Sequence, residues 1–202
     1  LNPGGLVCIW VHTNMSPDDF KSIVRSFSQE FPFVSMWESI AGDDYLLIGS
    51  ENEYGLSYEK AQQYFSDETV GRDLHRIGID NTPDLLSLMI MSREKLLEFS
   101  ASAPLHTDDN SLLEFNAPKY VYKDDRAVLV RQLTPFIELE PEFVDFSKTD
   151  TGVRAKVAEK LSKLERSESQ IEDIKSKAKL ERLLDQAMEA YNVGDISSAL
   201  QS

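Results

Sequence analysis

Residues 6–11 form an unbroken apolar run, Leu6-Val7-Cys8-Ile9-Trp10-Val11, entered through the turn cluster Asn2-Pro3-Gly4-Gly5. A run without alternation predicts a strand buried on both faces, as in a parallel sheet. Such a strand needs neighbours on both sides, so the pattern implies that the chain starts in the middle of a fold. Helical spacing follows at Phe20, Ile23, Val24 and Phe27, extended by Phe31. Ser16 as N-cap, Pro17 at the first helical position and Asp19 in a Ser-x-x-Asp box mark the start, and Pro32 is the stop. Phe33-Val34-Ser35-Met36-Trp37 and Tyr45-Leu46-Leu47-Ile48-Gly49 read as two further strands around a Gly42-Asp43-Asp44 turn. Their short connection predicts an antiparallel hairpin. The intervening helix makes the first two strands parallel, by a right-handed crossover.

Downstream, the pattern turns helical. Ala61, Tyr64 and Phe65 predict one short helix, and Asp67 caps a second carrying Val70, Leu74 and Ile77. Thr82-Pro83-Asp84 reads as an N-cap followed by proline, leading into Leu85, Leu86, Leu88 and Met89; Ser92 caps another helix with Leu96, Leu97 and Phe99. Four short helices of this size form a lid or flank on the sheet rather than a separate core. Residues 103–122 read as extended and loop-like, with Leu112-Leu113-Glu114-Phe115 a short strand. Residues 127–133 predict a helix stopped near Pro135, and 136–151 a linker rich in Glu, Asp and Pro.

From Gly152 a helical arm is expected. Val153, Val157, Leu161 and Leu164 make one stripe, Ile171, Ile174 and Ala178 another, and Leu180 to Tyr191 a third. The end, with Ala187, Ala190, Gly194-Asp195 and Ala199, resembles the opening of a tetratricopeptide repeat. Only about half a repeat fits before Ser202, and one such unit cannot bury its face alone. Both ends therefore read as cut from a longer protein. The organisation expected is 1–122, an α/β unit with a helical flank; 123–150, a helix and acidic linker; and 151–202, the arm.

Composition narrows the partners. The net charge is −14, and the nine basic and nine acidic residues from Thr151 onward cancel, so all of it falls on residues 1–150. That excess argues against a nucleic-acid partner, which needs a basic patch. It is compatible with a cationic small substrate and equally with a solvated acidic surface. The single cysteine, Cys8, has no intramolecular partner, which fits a reducing compartment or one indifferent to thiols. No stretch approaches the ~20 apolar residues of a membrane span, and no signal peptide is visible, so a cytoplasmic location without membrane contact is expected.

Several stretches together carry a family resemblance. They are Leu1-Asn2-Pro3-Gly4-Gly5, Ser16-Pro17-Asp18-Asp19-Phe20, Phe31-Pro32-Phe33-Val34-Ser35-Met36-Trp37, Leu46-Leu47-Ile48-Gly49-Ser50 and, more specifically, Ala103-Pro104-Leu105-His106-Thr107-Asp108-Asp109-Asn110-Ser111-Leu112-Leu113-Glu114-Phe115. Over about the first 120 residues the chain resembles the last third of the S-adenosylmethionine-dependent methyltransferase fold. It is most similar to the spermidine/spermine synthase (polyamine aminopropyltransferase) family, in the bacterial branch often fused to membrane transporter domains.

The resemblance implies a partial Rossmann-like sheet of three strands, the last inserted antiparallel between its two predecessors. It also implies a parent that transfers an aminopropyl group from decarboxylated S-adenosylmethionine to a polyamine. The family's Gly-rich turn, acidic ribose binder and catalytic Asp have no counterpart here, and no G-x-G-x-x-G occurs in the chain. No cofactor is therefore expected on this chain alone, and the isolated chain is expected to be inactive. Its natural partners would be the upstream half of the same fold or another protein copy, with a further protein partner for the helical arm.

Four residues are candidates for substrate binding. His12 and Asn14 follow the first strand, at the sheet edge where open α/β folds bind ligands. By resemblance this position lies beside the polyamine site; the plainer reading is a strand end meeting water. Asp108 and Asp109, in His106-Thr107-Asp108-Asp109, pair two carboxylates that suit an ammonium; the plainer reading is a turn held by side-chain to backbone bonds. Trp10, Trp37 and Tyr45 read as core. Ser26 and Ser28 read as exposed helix positions. The scattered His12, His75 and His106 do not form a metal-ligand pattern. Beside the aminopropyltransferase-like parent stand a non-catalytic interaction or oligomerisation module and a methyltransferase part, which shares the fold.

Overall fold

Gly5 closes its N–H on the Asn2 carbonyl at 2.8 Å, with Gly4 at φ 75°, and this turn delivers the chain into the first strand. Only glycine adopts that φ without strain, which explains the residue at the third turn position. The computed structural model describes residues 2–40, 42–120, 123, 125–139, 144–145 and 151–162, with positions 176, 179–180, 183–184 and 186–188. In order these form β1 (Val7–His12), α1 (Pro17–Glu30), β2 (Phe33–Ile40), β3 (Asp44–Ser50), β4 (Leu56–Ser57), α2 (Tyr58–Ser66), α3 (Glu68–Arg76), α4 (Thr82–Leu86), β5 (Met89–Ser92), α5 (Arg93–Phe99), α6 (Leu112–Tyr120), α7 (Arg126–Leu133), β6 (Val144–Asp145) and α8 (Thr151–Ser162). The expected tetratricopeptide-like end lies almost wholly outside the described residues.

The fold is α/β. One sheet has the order β1-β3-β2-β5, and all three pairings are antiparallel. Because β1 and β2 both oppose β3, they share a direction, and β3 lies between them as expected. The sheet has four strands rather than three. The pattern places Met89 in a helix and Ser92 at the cap of the next, but a run of Leu, Met and Ile fits a short buried strand as well as a helix. Pairing with β2 decides it: all four residues of β5 are buried.

α1 forms as its caps require. Ser16 accepts the Asp19 N–H at 2.9 Å, and Phe20, Val24 and Phe27 are buried against the sheet. They meet Val7, Ile9 and Val11 of β1, Tyr45 and Leu47 of β3, and Val34 and Met36 of β2, which the strand register places on one face. α1 comes so close that a Cβ on Gly49 would stand 2.7 Å from Phe31 Cδ2. Leu129, Leu133, Val144 and Val157, from the expected helix, linker and arm, join the same core.

The opposite face differs from expectation. Trp10, Leu46 and Trp37 form one rung across three strands, and Cys8, Ile48 and Ser35 the next. Leu6 is 54% and Trp10 61% exposed, and Cys8 is also exposed. β1 is thus buried on one face only and stands at the sheet edge, so Trp10 is not core, while Tyr45 is fully buried.

Other differences are local. Residues 112–115 begin α6 instead of a strand, and Phe115 is exposed. The N-cap of α4 is Asn81, one residue earlier than expected, accepting the Asp84 N–H at 3.0 Å. Ser92 precedes α5 but makes no capping bond; its hydroxyl and N–H both donate to the Glu138 carboxylate. Ser28 is buried, with its carbonyl accepting from Arg93 of α5, and Ser26 is half-buried where His106 lies along α1. No helix among the described residues is long and apolar enough to cross a membrane.

Candidate functional site

β1 ends at His12, whose ring Nδ1 accepts the Asn14 backbone N–H at 3.1 Å. Nδ1 is therefore the acceptor nitrogen, and a neutral His12 carries its proton on Nε2. The ring lies 5.4 Å from that of Trp10, tilted by 46°. Behind it, buried Thr13 ties the strand end to the hairpin turn, donating its N–H to the Asp43 carbonyl at 2.9 Å. Asp43 also pairs with Arg126 at 3.1 Å, which fixes α7 to the same end of the sheet.

A second histidine reaches the same place from far along the chain. His106 donates its backbone N–H to Ser26 Oγ at 2.8 Å, and the Ser22 hydroxyl donates to the Pro104 carbonyl at 2.8 Å. Arg25 donates to the Ala101 carbonyl at 2.9 Å and also to that of Ala103. These bonds lay residues 101–106 along α1. Asn116 of α6 then donates to buried Asp19 at 2.8 Å, closing the segment over the helix.

Between the strand edge, α1 and this segment lies a cavity of about 410 Å³. Ile9, Val11, Ile23, Phe27 and Leu113 give it apolar walls, and His12, His106, Trp10 and Ser26 line it as well. His106 Nδ1 is buried without a hydrogen-bond partner. An unpaired buried ring nitrogen costs free energy unless a ligand or water meets it. Two imidazoles therefore line the cavity: His12 takes the Asn14 N–H on its Nδ1, and His106 has its Nδ1 buried in the wall. Its apolar walls suit a ligand with a hydrocarbon body.

Of the four candidate residues, only His12 lines this cavity. Asn14 is exposed and contributes its backbone N–H to His12. Asp108 and Asp109 lie exposed in the turn that follows His106. That turn is held by Asn110, which accepts the Thr107 N–H at 3.1 Å and donates to the Leu105 carbonyl. The two aspartates are not brought to the cavity, and none of its lining residues is a carboxylate. Sequence reasoning missed Ser26 and Leu113. Ser26 sits three residues from Ile23 on one turn of α1, a spacing visible in the sequence, but nothing local announces that a segment eighty positions away covers it.

Among the described residues, no group of three or more His, Cys, Asp or Glu side chains stands close enough to hold a metal ion. No family model, no curated protein and no solved structure matches the chain.

Proposed function

We propose that the chain is the C-terminal portion of a polyamine aminopropyltransferase-like protein, in a Rossmann-like sheet completed by an upstream half. The strand order β1-β3-β2 carries this reading: a helix joins two strands of common direction, and the next strand inserts antiparallel between them. The open edge of β1 supports it further, since the upstream half would add its strand there. In the parent, an amine nitrogen attacks the propyl carbon bound to the sulfonium of decarboxylated S-adenosylmethionine. The C–S bond breaks, methylthioadenosine leaves, and the amine proton passes to a carboxylate.

This chain's share would be to flank the amine. The cavity walls fit a polymethylene chain, and the imidazoles of His12 and His106 line the same cavity and would flank its nitrogen. The carboxylate and the nucleotide site belong to the upstream half, and the chain alone is inactive. A cytoplasmic location follows from the same reading. The test combines thermal unfolding with imidazole NMR of the 202-residue chain. Spermidine is expected to shift the His106 and His12 ring signals, while methylthioadenosine and decarboxylated S-adenosylmethionine leave the melting temperature unchanged. Ring signals indifferent to spermidine would overturn the amine site. A rise in melting temperature with either nucleotide would put a nucleotide site in this chain.

A second reading is an interaction module, with the sheet as platform. The exposed apolar face of β1 favours it.

A further inference from the structure

α6 is held to the fold by little. None of its residues is buried, and Phe115 is 71% exposed. Pro118 lies inside the helix and, without an N–H, cannot bond the Glu114 carbonyl. A helix of nine residues is too short to stand without tertiary packing. The chain enters it through Ser111 at φ 39°, the one positive φ outside glycine among the described residues. A serine in that region is strained, and strain of this kind collects at clamps and switch segments. The inner side of α6 meets the cavity. Leu113 lines it, as do Ile23 and Phe27 of α1. Asn116, almost one turn on, donates its amide to the buried Asp19 carboxylate at 2.8 Å. Lys119 donates to the Asn116 side-chain oxygen at 2.9 Å, which turns the amide nitrogen toward Asp19.

We propose that α6 is a lid on this cavity, hinged at Ser111 and latched by Asn116 on Asp19, and that it swings away as a unit to uncover the wall formed by Leu113. A segment with few buried contacts opens at far lower free energy than the core beneath it. Lids drawn from such segments control entry to enclosed sites. Hinge and latch act in opposition. The strain at Ser111 is relieved when α6 leaves, whereas the bond to Asp19 exists only while it stays. His106 lies on the other side of the hinge and is fixed to α1 through Ser26, so its part of the wall remains in place. The inference goes beyond the amine reading and rests on the cavity's geometry rather than on what fills it. Its readouts use no ligand, so its failure and that of the amine site are told apart.

The test is thiol labelling of the full chain in a Cys8→Ala background, which removes the exposed native thiol. Leu113→Cys places a thiol on the cavity wall, and Phe115→Cys places one on the exposed side of the same helix. Leu113→Cys should label about tenfold or more slowly than Phe115→Cys. Low urea should leave its rate unchanged, because a local opening exposes little surface. Adding Asn116→Ala should raise that rate about tenfold through loss of the bond to the carboxylate. Adding Ser111→Asn, which takes a positive φ more readily, should lower it. Amide exchange in the unaltered chain decides the matter if a variant fails to fold: residues 112–120 should exchange together and ahead of α1. Equal labelling of the two thiols, a Leu113→Cys rate that Asn116→Ala leaves unchanged, or exchange of 112–120 only in step with α1 would overturn the proposal.

Discussion

The backbone N–H of His106 donates to the hydroxyl of Ser26 at 2.8 Å, and that hydroxyl donates in turn to the Ser22 carbonyl at 2.9 Å. One small side chain thus joins a helix turn to a segment eighty residues downstream. It also sets one wall of the cavity, since His106 and Leu113 follow from that anchor.

Ser26→Ala leaves the His106 N–H without its acceptor. A part-buried donor left unpaired costs about 1–3 kcal/mol. Urea unfolding should show a loss in that range, and amide exchange should rise first at residues 105–107. A variant as stable as the native chain, with unchanged exchange at His106, would mean the anchor lies elsewhere.

Gly49 supplies the second test of how α1 is seated. Its Cα faces Phe27 and Phe31, whose rings stand 4.9 Å apart. Gly49→Ala puts a methyl 2.7 Å from Phe31 Cδ2 and 2.9 Å from Phe27 Cε1. Both rings have to move, and overpacking of this kind costs about 1–3 kcal/mol. The effect is opposite to the usual gain from replacing a strand glycine, so the sign of the change in denaturation midpoint decides the matter.

The parts of the fold legible in the sequence are those whose signals are local. Ser16 and Pro17 start α1, Gly4 and Gly42 sit in turns at φ 75° and 72°, and Asp67 caps α3 by accepting the Thr69 and Val70 N–H groups. Strand direction followed from loop length. What was hidden depends on pairing between distant segments. Met89-Ile90-Met91 has no period of its own, and Glu138 captures both donors of Ser92 across 46 positions. The apolar run of β1 was read as buried on both faces; the structure leaves one face exposed, because apolarity records what a strand can bury and not what lies against it. The candidate site was half legible. His12 could be placed at the strand end, but its meeting with His106 depends on Ser26. The Asp108-Asp109 pair stood out by charge and proved to be an exposed turn.

Tyr54 gives the sheet's open face a pH limit. Its hydroxyl donates to the Ile48 carbonyl at 2.8 Å and lies 2.9 Å from Ser35 Oγ, which also accepts from Trp37 Nε1 at 2.8 Å. Burial raises the phenol above its ordinary value near 10, and the hydrogen bond with Ser35 only partly opposes this. A raised folded-state value means the neutral phenol favours the fold. Its contribution is complete below about pH 10 and is lost as the pH climbs through the folded-state value. Alkaline unfolding should therefore steepen above pH 10, and Tyr54→Phe should remove that component while lowering stability at neutral pH by about 1 kcal/mol. Identical alkaline profiles for the two chains would show that another group sets the limit.

The docking of α8 separates packing from charge. Val157 is 1% exposed and belongs to the core, and Lys160, one turn on, forms an ion pair with Asp84 of α4. The lysine side chain is 41% exposed, so solvent screens the pair, and exposed pairs contribute about 0–1 kcal/mol. Truncating a buried valine removes apolar contacts and leaves a cavity, at roughly 1–3 kcal/mol. Val157→Ala should therefore loosen α8 far more than Lys160→Ala, read as faster amide exchange across residues 151–162. Added salt should narrow the difference between Lys160→Ala and the native chain and leave the effect of Val157→Ala in place. If Lys160→Ala frees the helix and Val157→Ala does not, charge rather than burial holds it, and detachment of α8 would then become a function of ionic strength.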